Sequence, residues 1–595
     1  MKSIRFVLLL TSIVLPLEVK AEQLSSQCNV LFIIVDDLNS RIEPFGDPDA
    51  ITPNLTRLAQ RSVTYRNCVC QYSLCFPSRA SFLTGIHPWN LGVHQGGSNN
   101  AGAEEVIPGR LWMSEYFRSQ GYWAGSYGKV EHDENPEKWD ELIPRSLVAD
   151  GRFVSSSSWS GVKGISGNTT FAVYDGDATK FTDGVSATGA MAAMERCIQE
   201  GRKFFVTLGF YMPHTPWLVP KSIADLYDPA ALQLPANPPG SYDNAYWPPY
   251  AYAKGKAADT RPFMPEEDLR DMLKAYYSAT TLMDYNLGRV LDFADANGLW
   301  DDTVIILASD NGFSLMEHRH LYSKRNYSRE SVHVPMMIHH PGMTTEGQFC
   351  DRQVGLIDIL PTALDLAGVS PYPKPLDGQS IAPLQEDPNA VWDRPALSCL
   401  TYPRSSMPRY RIGQLGPWKL IEGPFSISYR KVMDHANDPL ESYGTFPNGI
   451  DGTTLAALEA ALSEIPFENG VFYTERPLNP DRDADGLSDE GEIDLGFLGF
   501  SPYIDNTDLL TRFTQETVTV VPDSSIKVRL ESLPADPEAF SLDYAYPLQL
   551  ERSYDLETWQ VLALDPELGA SGHLEWEDDS AGSPTRVFYR ASIGP

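Results

Sequence analysis

The stretch NVLFIIVDDLN, Asn29 to Asn39, is apolar at every position from Val30 to Val35 and ends in two aspartates, Asp36 and Asp37, before Leu-Asn. An unbroken apolar run of this length is typical of a strand that is buried on both faces of a parallel sheet. Functional side chains of open α/β sheets collect beyond the carboxyl ends of such strands. The two aspartates are therefore predicted to lie at a functional edge of a sheet.

Two later stretches repeat this arrangement. KFFVTLGFYMPHTPW predicts a strand from Phe204 to Phe210 with His214 beyond it, and DDTVIILASDNGFS predicts one from Thr303 to Ala308 with Asp310 and Asn311 beyond it. Because parallel strands end at the same edge of a sheet, these polar side chains are expected to meet the first two aspartates.

Helical patterns separate the predicted strands. They cover Thr52–Val63 and Glu266–Gly298, and the second is amphipathic and ended by its glycine, as a crossover helix should be. We therefore predict an α/β fold with a large mixed, mostly parallel sheet flanked by helices. A smaller C-terminal α+β subdomain is predicted from about residue 400.

The chain begins MKSIRFVLLLTSIVLPLEVKA, in which Lys2 and Arg5 precede an apolar run and Ala21 offers a cleavage site. This order is typical of a secretory signal peptide, predicted here over residues 1–21. No other stretch approaches the ~20 apolar residues of a membrane span, so no transmembrane segment is predicted. The mature protein is expected to be secreted or periplasmic.

Net charge and cysteine content limit which partners and which disulfides can be expected. The formal net charge of -32 argues against a nucleic-acid partner, because phosphate binding needs clustered Lys and Arg. The seven cysteines are an odd number, which leaves at least one thiol unpaired in an exported protein. We take Cys75 as the odd one, and the others could pair in disulfides of undetermined connectivity. These others are Cys28, Cys68, Cys70, Cys197, Cys350 and Cys399.

Cys75 stands in SLCFPSRASFLTG, where Pro77, Ser78 and Arg79 follow it and Leu-Thr-Gly closes the stretch. A disulfide or a buried structural thiol is the ordinary alternative for such a cysteine. The pattern C-x-P-S-R-x-x-x-L-T-G, however, resembles the signature of type I sulfatases. The resemblance covers about residues 28 to 445 and is closest to the iduronate sulfatase branch, through GKVEH, GFYMPHTPW, SDNG and MDHANDPLE.

The resemblance implies that a maturation enzyme oxidises Cys75 to Cα-formylglycine. One hydroxyl of the hydrated aldehyde would attack the sulfur of a sulfate ester, and the other would expel sulfate afterwards. It also implies a divalent cation, Ca²⁺ or Mg²⁺, held by Asp36, Asp37, Asp310 and Asn311 together with residue 75. Taken alone, paired aspartates at a strand end are more often a helix cap or a solvated turn.

The same resemblance assigns roles to residues around the nucleophile. Lys129 and Lys324 would direct fixed positive charge at the sulfate, and Arg79 would hold the hydrated aldehyde. His214 would protonate the leaving oxygen, and His132 would deprotonate the second hydroxyl. The proton of the attacking hydroxyl would go to a metal carboxylate, for which Asp310 is preferred.

Lys324 is placed by its distance from a later proline. It stands eleven residues before Pro335, as the corresponding lysine does in the family. The segment from Glu317 to Lys324 is one residue longer than expected, so His318 and His320 stay open as alternatives.

The iduronate-type resemblance implies a sulfated carbohydrate as substrate, either glycosaminoglycan-like or another sulfated poly- or oligosaccharide. Two other functions stay open. The chain could be a phosphodiesterase or phosphonate monoester hydrolase, since these share the superfamily and the nucleophile position. It could also be a non-catalytic glycan-binding protein in which Cys75 is not converted.

The tail has a different composition. NPDRDADGLSDEGE places acidic side chains around a glycine, as calcium loops do, and resembles a thrombospondin type 3 repeat; a solvated acidic linker is the alternative. The predicted ligands of this second calcium site are Asp481, Asp483, Asp485 and Asp489. Beyond it, TVTVVP, IKVRLESL, LQLERSYD and RVFYRASI predict an antiparallel β-sandwich. Tyr554 and Trp559 in this sandwich are either a glycan platform or core residues.

The predicted organisation is a signal peptide over 1–21, the α/β domain over 22–400, its C-terminal subdomain over 401–475, the calcium-binding linker over 476–514 and the β-sandwich over 515–595.

Overall fold

The computed structural model describes residues 27–465, except 94–109, 133–134, 146–147, 150–151, 154–161, 164–169, 236–265, 318–320, 402–407, 423–429 and 442–449, and the backbone of strands between 518 and 593. The predicted signal peptide and calcium-binding linker lie outside the described residues, as do His318, His320, Tyr554 and Trp559. The chain divides into two compact units, Met1–Gly470 and Val471–Pro595.

A nine-stranded sheet forms the centre of the first unit. Its strands follow the order Phe349–Cys350, Val63–Val69, His333–His339, Thr303–Ser309, Asn29–Val35, Phe204–Phe210, Trp123–Gly128 and Glu141–Pro144, and Val354–Gly355 also pairs with Val63–Val69. Every pairing is parallel except the two made by His333–His339. The predicted mixed, mostly parallel sheet is confirmed.

The register of the central strand Asn29–Val35 aligns the strand ends. Val35 lies opposite Ser309 on one side and Phe210 on the other. The three strands therefore end side by side, and the residues that follow Val35, Phe210 and Ser309 start at the same edge of the sheet. The strand Val63–Val69 runs in the same direction, so the segment that leads to Cys75 starts at the same edge.

Both faces of the sheet are covered, which explains the unbroken apolar run. Leu31, Ile33 and Val35 pack in one apolar core, and the residues that alternate with them pack in a second core on the other face. Successive side chains of a strand point to opposite faces, so each position in this strand must be apolar.

The α-helices of the described residues are Pro53–Ala59, Cys75–Thr84, Met113–Ser119, Thr182–Gln199, Lys221–Ala224, Glu266–Ala296, Arg329–Val332, Ile359–Leu366, Ala382–Glu386 and Gly452–Leu462. The first predicted helix is shorter than expected because Val63 already begins a strand. The long helix ends at Ala296, just before Gly298, which adopts a left-handed φ of 65°.

A four-stranded antiparallel sheet follows in the same unit. Its strands are Ala396–Thr401, Pro408–Leu415, Trp418–Glu422 and Arg430–Asp434. The helix Gly452–Leu462 packs on it, and their shared apolar core extends to Tyr72 and Leu74, just before Cys75. The subdomain is therefore joined to the segment that carries the predicted nucleophile.

Three small sheets complete the described part of this unit. They are Trp217–Pro220 with Thr170–Tyr174 and Val162–Lys163, the hairpin Ser314–Glu317 with Leu321–Ser323, and Val148–Ala149 with Arg152–Phe153.

The second unit contains the predicted tail strands. They form two antiparallel sheets, one of Val518–Val520, Ile526–Leu530, Leu574–Asp578 and Glu567–Leu568, and one of Gln560–Leu562, Leu548–Ser553 and Phe588–Ile593. The packing of these sheets as a sandwich, and the domain bounds given above, stay predictions.

The cysteines do not pair. All seven lie within the described residues and are free thiols, so the expectation of disulfides is wrong. Cys68, Cys70, Cys197, Cys350 and Cys399 are buried instead, where they pack as small apolar side chains. Among the described residues, no helix is long and apolar enough to cross a membrane.

Candidate active site

The four predicted metal ligands meet at the sheet edge. Asp36, Asp37, Asp310 and Asn311 are almost completely buried. The Asp37 N–H donates to Asp310 Oδ1 over 3.2 Å, and the Asn311 side-chain amide donates to Asp37 Oδ1 over 2.7 Å. Neighbouring strand ends thus hold these side chains in one hydrogen-bonded group.

This group fits a divalent cation. Oδ1 of Asp36 and the side-chain oxygen of Asn311 are buried and accept no hydrogen bond. Ligand atoms of Asp36, Cys75 and Asp310 lie within 4.8 Å of one another, as do those of Asp36, Asp37 and His214. Carboxylate and amide oxygens are the ligands that Ca²⁺ and Mg²⁺ prefer.

Cys75 is the first residue of the helix Cys75–Thr84, and its thiol faces positive charge. The residue is 6% exposed. Burial raises the pKa of the thiol, but Lys324, Lys129 and a hydrogen bond with His132 outweigh burial and hold this pKa well below its ordinary value. An anionic group at position 75 is therefore stabilised, as a reactive cysteine requires.

Arg79 lies one helical turn after Cys75 and is completely buried. Its Nε donates to Asp310 Oδ2 over 2.7 Å, and its Nη1 donates to the carbonyls of Lys129 and Val130. Its Nη2 makes no hydrogen bond and lies 3.7 Å from Asp36 Oδ1. The N–H groups of Nη2 therefore remain to hold a further oxygen in the site.

The two predicted lysines flank the carboxylates. Lys324 Nζ donates to Asp37 Oδ1 over 2.6 Å and lies 3.9 Å from Asp36 Oδ1, and Lys129 forms an ion pair with Asp36. Burial raises the pKa of Asp36, but these cations together with His214 and Arg79 outweigh it and hold this pKa well below the usual range.

The other two carboxylates have the opposite shift. Burial raises the pKa of Asp37 to about 6 against the effect of Lys324. It also raises the pKa of Asp310 to about 7 against the effect of Arg79. Crowding of like charge with Asp36 contributes to both shifts.

Lys129 is positioned by a close approach between the backbones of two neighbouring strands. Gly128 has a φ of 81°, and a Cβ there would lie 2.2 Å from the carbonyl oxygen of Gly209 in the neighbouring strand. A Cβ on Gly209 would meet the backbone of Lys129 at 2.1 Å. Only glycine at both positions allows this approach.

The two predicted histidines have different surroundings. His132 packs edge-on against Phe76, with ring centroids 5.5 Å apart. His214 lies with Nε2 3.9 Å from Asp37 Oδ2, and its Nδ1 is 2.5 Å from the carbonyl oxygen of Thr215. A carbonyl only accepts, so Nδ1 carries the proton and the lone pair of Nε2 faces the site in the neutral ring. Burial, with Lys129 next, lowers the pKa of His214 well below its ordinary value.

The sequence did not indicate Asp183, which holds the His214 segment in place. This buried carboxylate accepts the N–H groups of Tyr211 over 2.7 Å and of Met212 over 3.1 Å. Burial raises its pKa to about 7. An aspartate near a helix start is an ordinary local feature, and nothing in the sequence links it to a segment 28 positions away.

The structure thus brings together Asp36, Asp37, Cys75, Arg79, Lys129, His132, His214, Asp310, Asn311 and Lys324 at one edge of the sheet. The predicted ligands of the second calcium site, Asp481, Asp483, Asp485 and Asp489, lie outside the described residues.

Two family models match this chain. The family model for sulfatases matches residues 28–369, and the model for the C-terminal part of N-sulphoglucosamine sulphohydrolase matches residues 316–465. Iduronate 2-sulfatase of Mus musculus is 28% identical over 427 residues, which cover 63% of this chain and 75% of the relative.

Two solved structures share the fold. One, in complex with its substrate D-glucosamine-2-N,6-O-disulfate, has a TM-score of 0.57 at 18% identity, over 74% of this chain and 97% of its own. The other, the phosphonate monoester hydrolase of Agrobacterium radiobacter, has a TM-score of 0.59 at 20% identity, over 73% and 95%. At these identities the likeness concerns the fold alone.

Proposed function

This chain belongs to the sulfatase family and is a sulfuric ester hydrolase, and we propose that it cleaves sulfate esters of a carbohydrate with a formylglycine made from Cys75. The observation that carries the proposal is the position of the Cys75 thiol. It is a free thiol beside a group of metal-ligand oxygens, and it faces Lys129, Lys324 and His132.

The residues that would hold the cation are Asp36, Asp37, Asp310 and Asn311 together with residue 75. When bound, the cation supplies positive charge that polarises a sulfuryl oxygen. A hydrated formylglycine supplies one hydroxyl for attack on sulfur and a second hydroxyl whose deprotonation releases sulfate.

The chain's own side chains would orient the ester and move the protons. Lys129 and Lys324 direct positive charge at the sulfuryl oxygens, and Arg79 Nη2 holds an oxygen on residue 75. His214 Nε2 donates a proton to the leaving alcohol oxygen, for which the imidazole must first be protonated. His132 removes the proton from the second hydroxyl at residue 75.

Asp310 is the proposed acceptor for the proton of the attacking hydroxyl. Its Oδ1 accepts two backbone N–H groups and its Oδ2 accepts Arg79 Nε. These bonds fix the orientation of the carboxylate next to residue 75, within the group of ligand atoms described above.

We infer a sulfated carbohydrate as the substrate class from the relatives. The name of iduronate 2-sulfatase and the bound disulfated glucosamine of the first solved structure both refer to sulfated sugars. The N-terminal sequence supports export, which would place the enzyme with extracellular or periplasmic polysaccharides.

The first test is mass spectrometry of the tryptic peptide Asn67–Arg79, from protein made in a host that matures sulfatases. We expect the mass of an aldehyde in place of the Cys75 thiol, and the Cys75→Ala protein as control should lack it. A thiol or disulfide at Cys75, with a reference sulfatase converted in the same cells, would contradict the proposed nucleophile.

The second test compares leaving-group classes. Sulfated sugars, aryl sulfates and phosphonate monoesters are offered to the matured enzyme under the same conditions. We expect the highest kcat/KM on a sulfate ester of a sugar. Faster turnover of the phosphonate monoester would favour the alternative within the superfamily, and affinity for the glycan without any turnover would favour a binding protein.

For the tail we propose a structural calcium segment at 476–514 and an accessory β-domain at 515–595. Calcium should protect the Asp481–Asp489 segment from proteolysis, and a chelator should remove that protection. Cleavage at the same rate in both conditions would indicate a solvated linker instead.

A further inference from the structure

A buried ion pair joins the antiparallel sheet to the segment that follows its last strand, and it has no role in the site described so far. Lys419 Nζ donates to Glu441 Oε1 over 2.6 Å, and both side chains are fully shielded from solvent. His435 Nε2 lies 2.7 Å from the same oxygen. Because desolvation offsets most of the attraction between two buried charges, such a pair adds little net stability by itself.

The pair is hydrogen-bonded to the loop that carries Lys324. Lys419 Nζ also donates to the carbonyl of Tyr327, and the N–H of Arg329 donates to Glu441 Oε2 over 2.9 Å. Both backbone groups follow Lys324 closely in sequence. The side chains of Lys419 and Glu441 therefore hold the backbone at Tyr327 and Arg329, shortly after Lys324.

That loop needs external support because its backbone is strained. Ser323 and Arg325 flank Lys324 with φ values of 73° and 70°, a left-handed conformation that costs free energy in residues other than glycine. The segment before Cys75 also contacts this loop: the Arg325 N–H donates to the Ser73 carbonyl, and Ser73 Oγ donates to the carbonyl of Asn326. Strained residues persist only where surrounding contacts hold them in place.

We propose that the Lys419–Glu441 pair is a positioning device that keeps the Lys324 ammonium aimed at Asp37 and the sulfate. The inference rests on the proposed function, in which Lys324 directs positive charge at the sulfuryl group. It assigns to the C-terminal subdomain a task in catalysis: its sheet sets the place of a lysine that comes from the hairpin beside the catalytic edge.

The test variant replaces both charges together. Lys419→Met with Glu441→Gln leaves no unpaired buried charge, removes the donor to Tyr327 and keeps an acceptor for Arg329. We expect kcat/KM on a sulfate ester to fall roughly 10- to 100-fold, because a displacement of about 1 Å at a catalytic group has effects of this size. Lys419→Gln with Glu441→Gln, which also leaves no buried charge, is the second variant if the first one does not fold.

The matched control lies in the same sheet. Arg411 and Glu422 form an ion pair at 2.6 Å, and Arg411 also donates to the carbonyls of Leu462 and Ile465 in the subdomain. Arg411→Met with Glu422→Gln should leave kcat/KM within about twofold of the original. An equal loss in both double variants would mean that the sheet matters only as a whole, which overturns the proposal.

Repeating the replacements in a protein that lacks Lys324 distinguishes a loss of Lys324 positioning from a general loss of structure. In Lys324→Ala protein, the Lys419 and Glu441 replacements should add no further loss of kcat/KM, because their effect passes through Lys324. The same fold-loss in both backgrounds would overturn the proposal.

Hydrogen exchange provides a readout that does not depend on turnover. Amides of the 321–332 segment should exchange faster in the Lys419/Glu441 variant than in the Arg411/Glu422 control. Unchanged exchange there would overturn the positioning role. Faster exchange in a protein that hydrolyses no sulfate ester would leave the anchoring intact and instead refute the proposed function.

Discussion

The two halves of the site are placed by different means. On the strand side, Asp36, Asp37, Asp310 and Asn311 follow directly from buried parallel strands whose register aligns their ends. On the loop side, His214 and Lys324 depend on side chains that are remote in sequence.

This difference concerns how each half responds to mutation. The strand side is fixed mainly by the backbone pairing of the parallel strands. On the loop side, the position of His214 depends on the hydrogen bonds of Asp183 to its segment. The position of Lys324 depends on the hydrogen bonds that Lys419 and Glu441 make to its loop. We therefore expect remote substitutions to change catalysis through the loops, while substitutions among the strand-end ligands change cation binding.

The largest effect should come from residue 75, where the two halves meet. Cys75→Ala removes the proposed precursor of the nucleophile, and steady-state turnover of sulfate esters should fall by roughly 10⁴-fold or more. Cys70→Ala is the control, since this buried thiol lies just before the helix and is outside the proposed chemistry. If the Cys75→Ala protein retained its turnover, residue 75 would not be the nucleophile.

Asn311→Ala tests the strand side. It removes a buried oxygen that accepts no hydrogen bond, together with the amide that donates to Asp37. Bound calcium or magnesium, measured by elemental analysis, should fall, and kcat/KM should drop roughly 100-fold. Asn54→Ala, which loses an amide contact with Asp284, should retain its metal. Full metal content in Asn311→Ala would exclude this side chain as a ligand.

Asp183→Asn tests the loop side. Asparagine has one acceptor oxygen, so one of the two N–H groups of Tyr211 and Met212 loses its partner. We expect kcat on poor leaving groups to fall roughly tenfold at unchanged metal content, because His214 is displaced. Asp177→Asn, at an exposed turn, is the control. Loss of metal in Asp183→Asn would erase the distinction between the two halves.

The smallest effect concerns Glu131, which lies between Lys129 and His132. Burial raises the pKa of its carboxyl to about 7, and Trp139 Nε1 donates to its Oε1. The folded chain keeps a proton that the unfolded chain has lost, so stability falls as the pH rises from about 4.5 to 7 and stays low above it.

Glu131→Gln cannot ionise and retains the acceptor for Trp139. Its free energy of unfolding should therefore exceed that of the original protein by about 2 kcal/mol more at pH 8 than at pH 5. Denaturant titrations at the two pH values provide the measurement, with kcat expected within about twofold. An advantage that shrinks toward pH 8 would show that Glu131 is ionised when buried.

The convergence of the predicted ligands on the strand side could be expected from the sequence, because each of them follows an apolar run that can be recognised without tertiary information. The Cys75 helix was recognised from its family signature. Lys324 was harder, since its position depends on a hairpin with a bulge between Leu315 and Glu317, and sequence does not show register. Its alternatives His318 and His320 lie outside the described residues.

The supporting residues could not be predicted. Asp183, Lys419 and Glu441 are ordinary charged residues in sequence, and their effect depends on which distant backbone group each one meets after folding. The disulfide expectation failed for a related reason. Export favours cross-links in small domains, whereas a chain of this size buries enough apolar surface without them.

Under the proposed function, the burial of Cys75 limits the time during which this residue can be converted to formylglycine. Residue 75 is 6% exposed in the folded chain, in which Asp37 and Lys324, 287 positions apart, are hydrogen-bonded to each other. A modifying enzyme must therefore reach it on the nascent or unfolded chain. At roughly 5 to 20 residues per second, the ribosome needs on the order of ten to fifty seconds to proceed from residue 75 to residue 324. Anything that speeds compaction of the first part of the chain would shorten that window and lower the fraction of active enzyme.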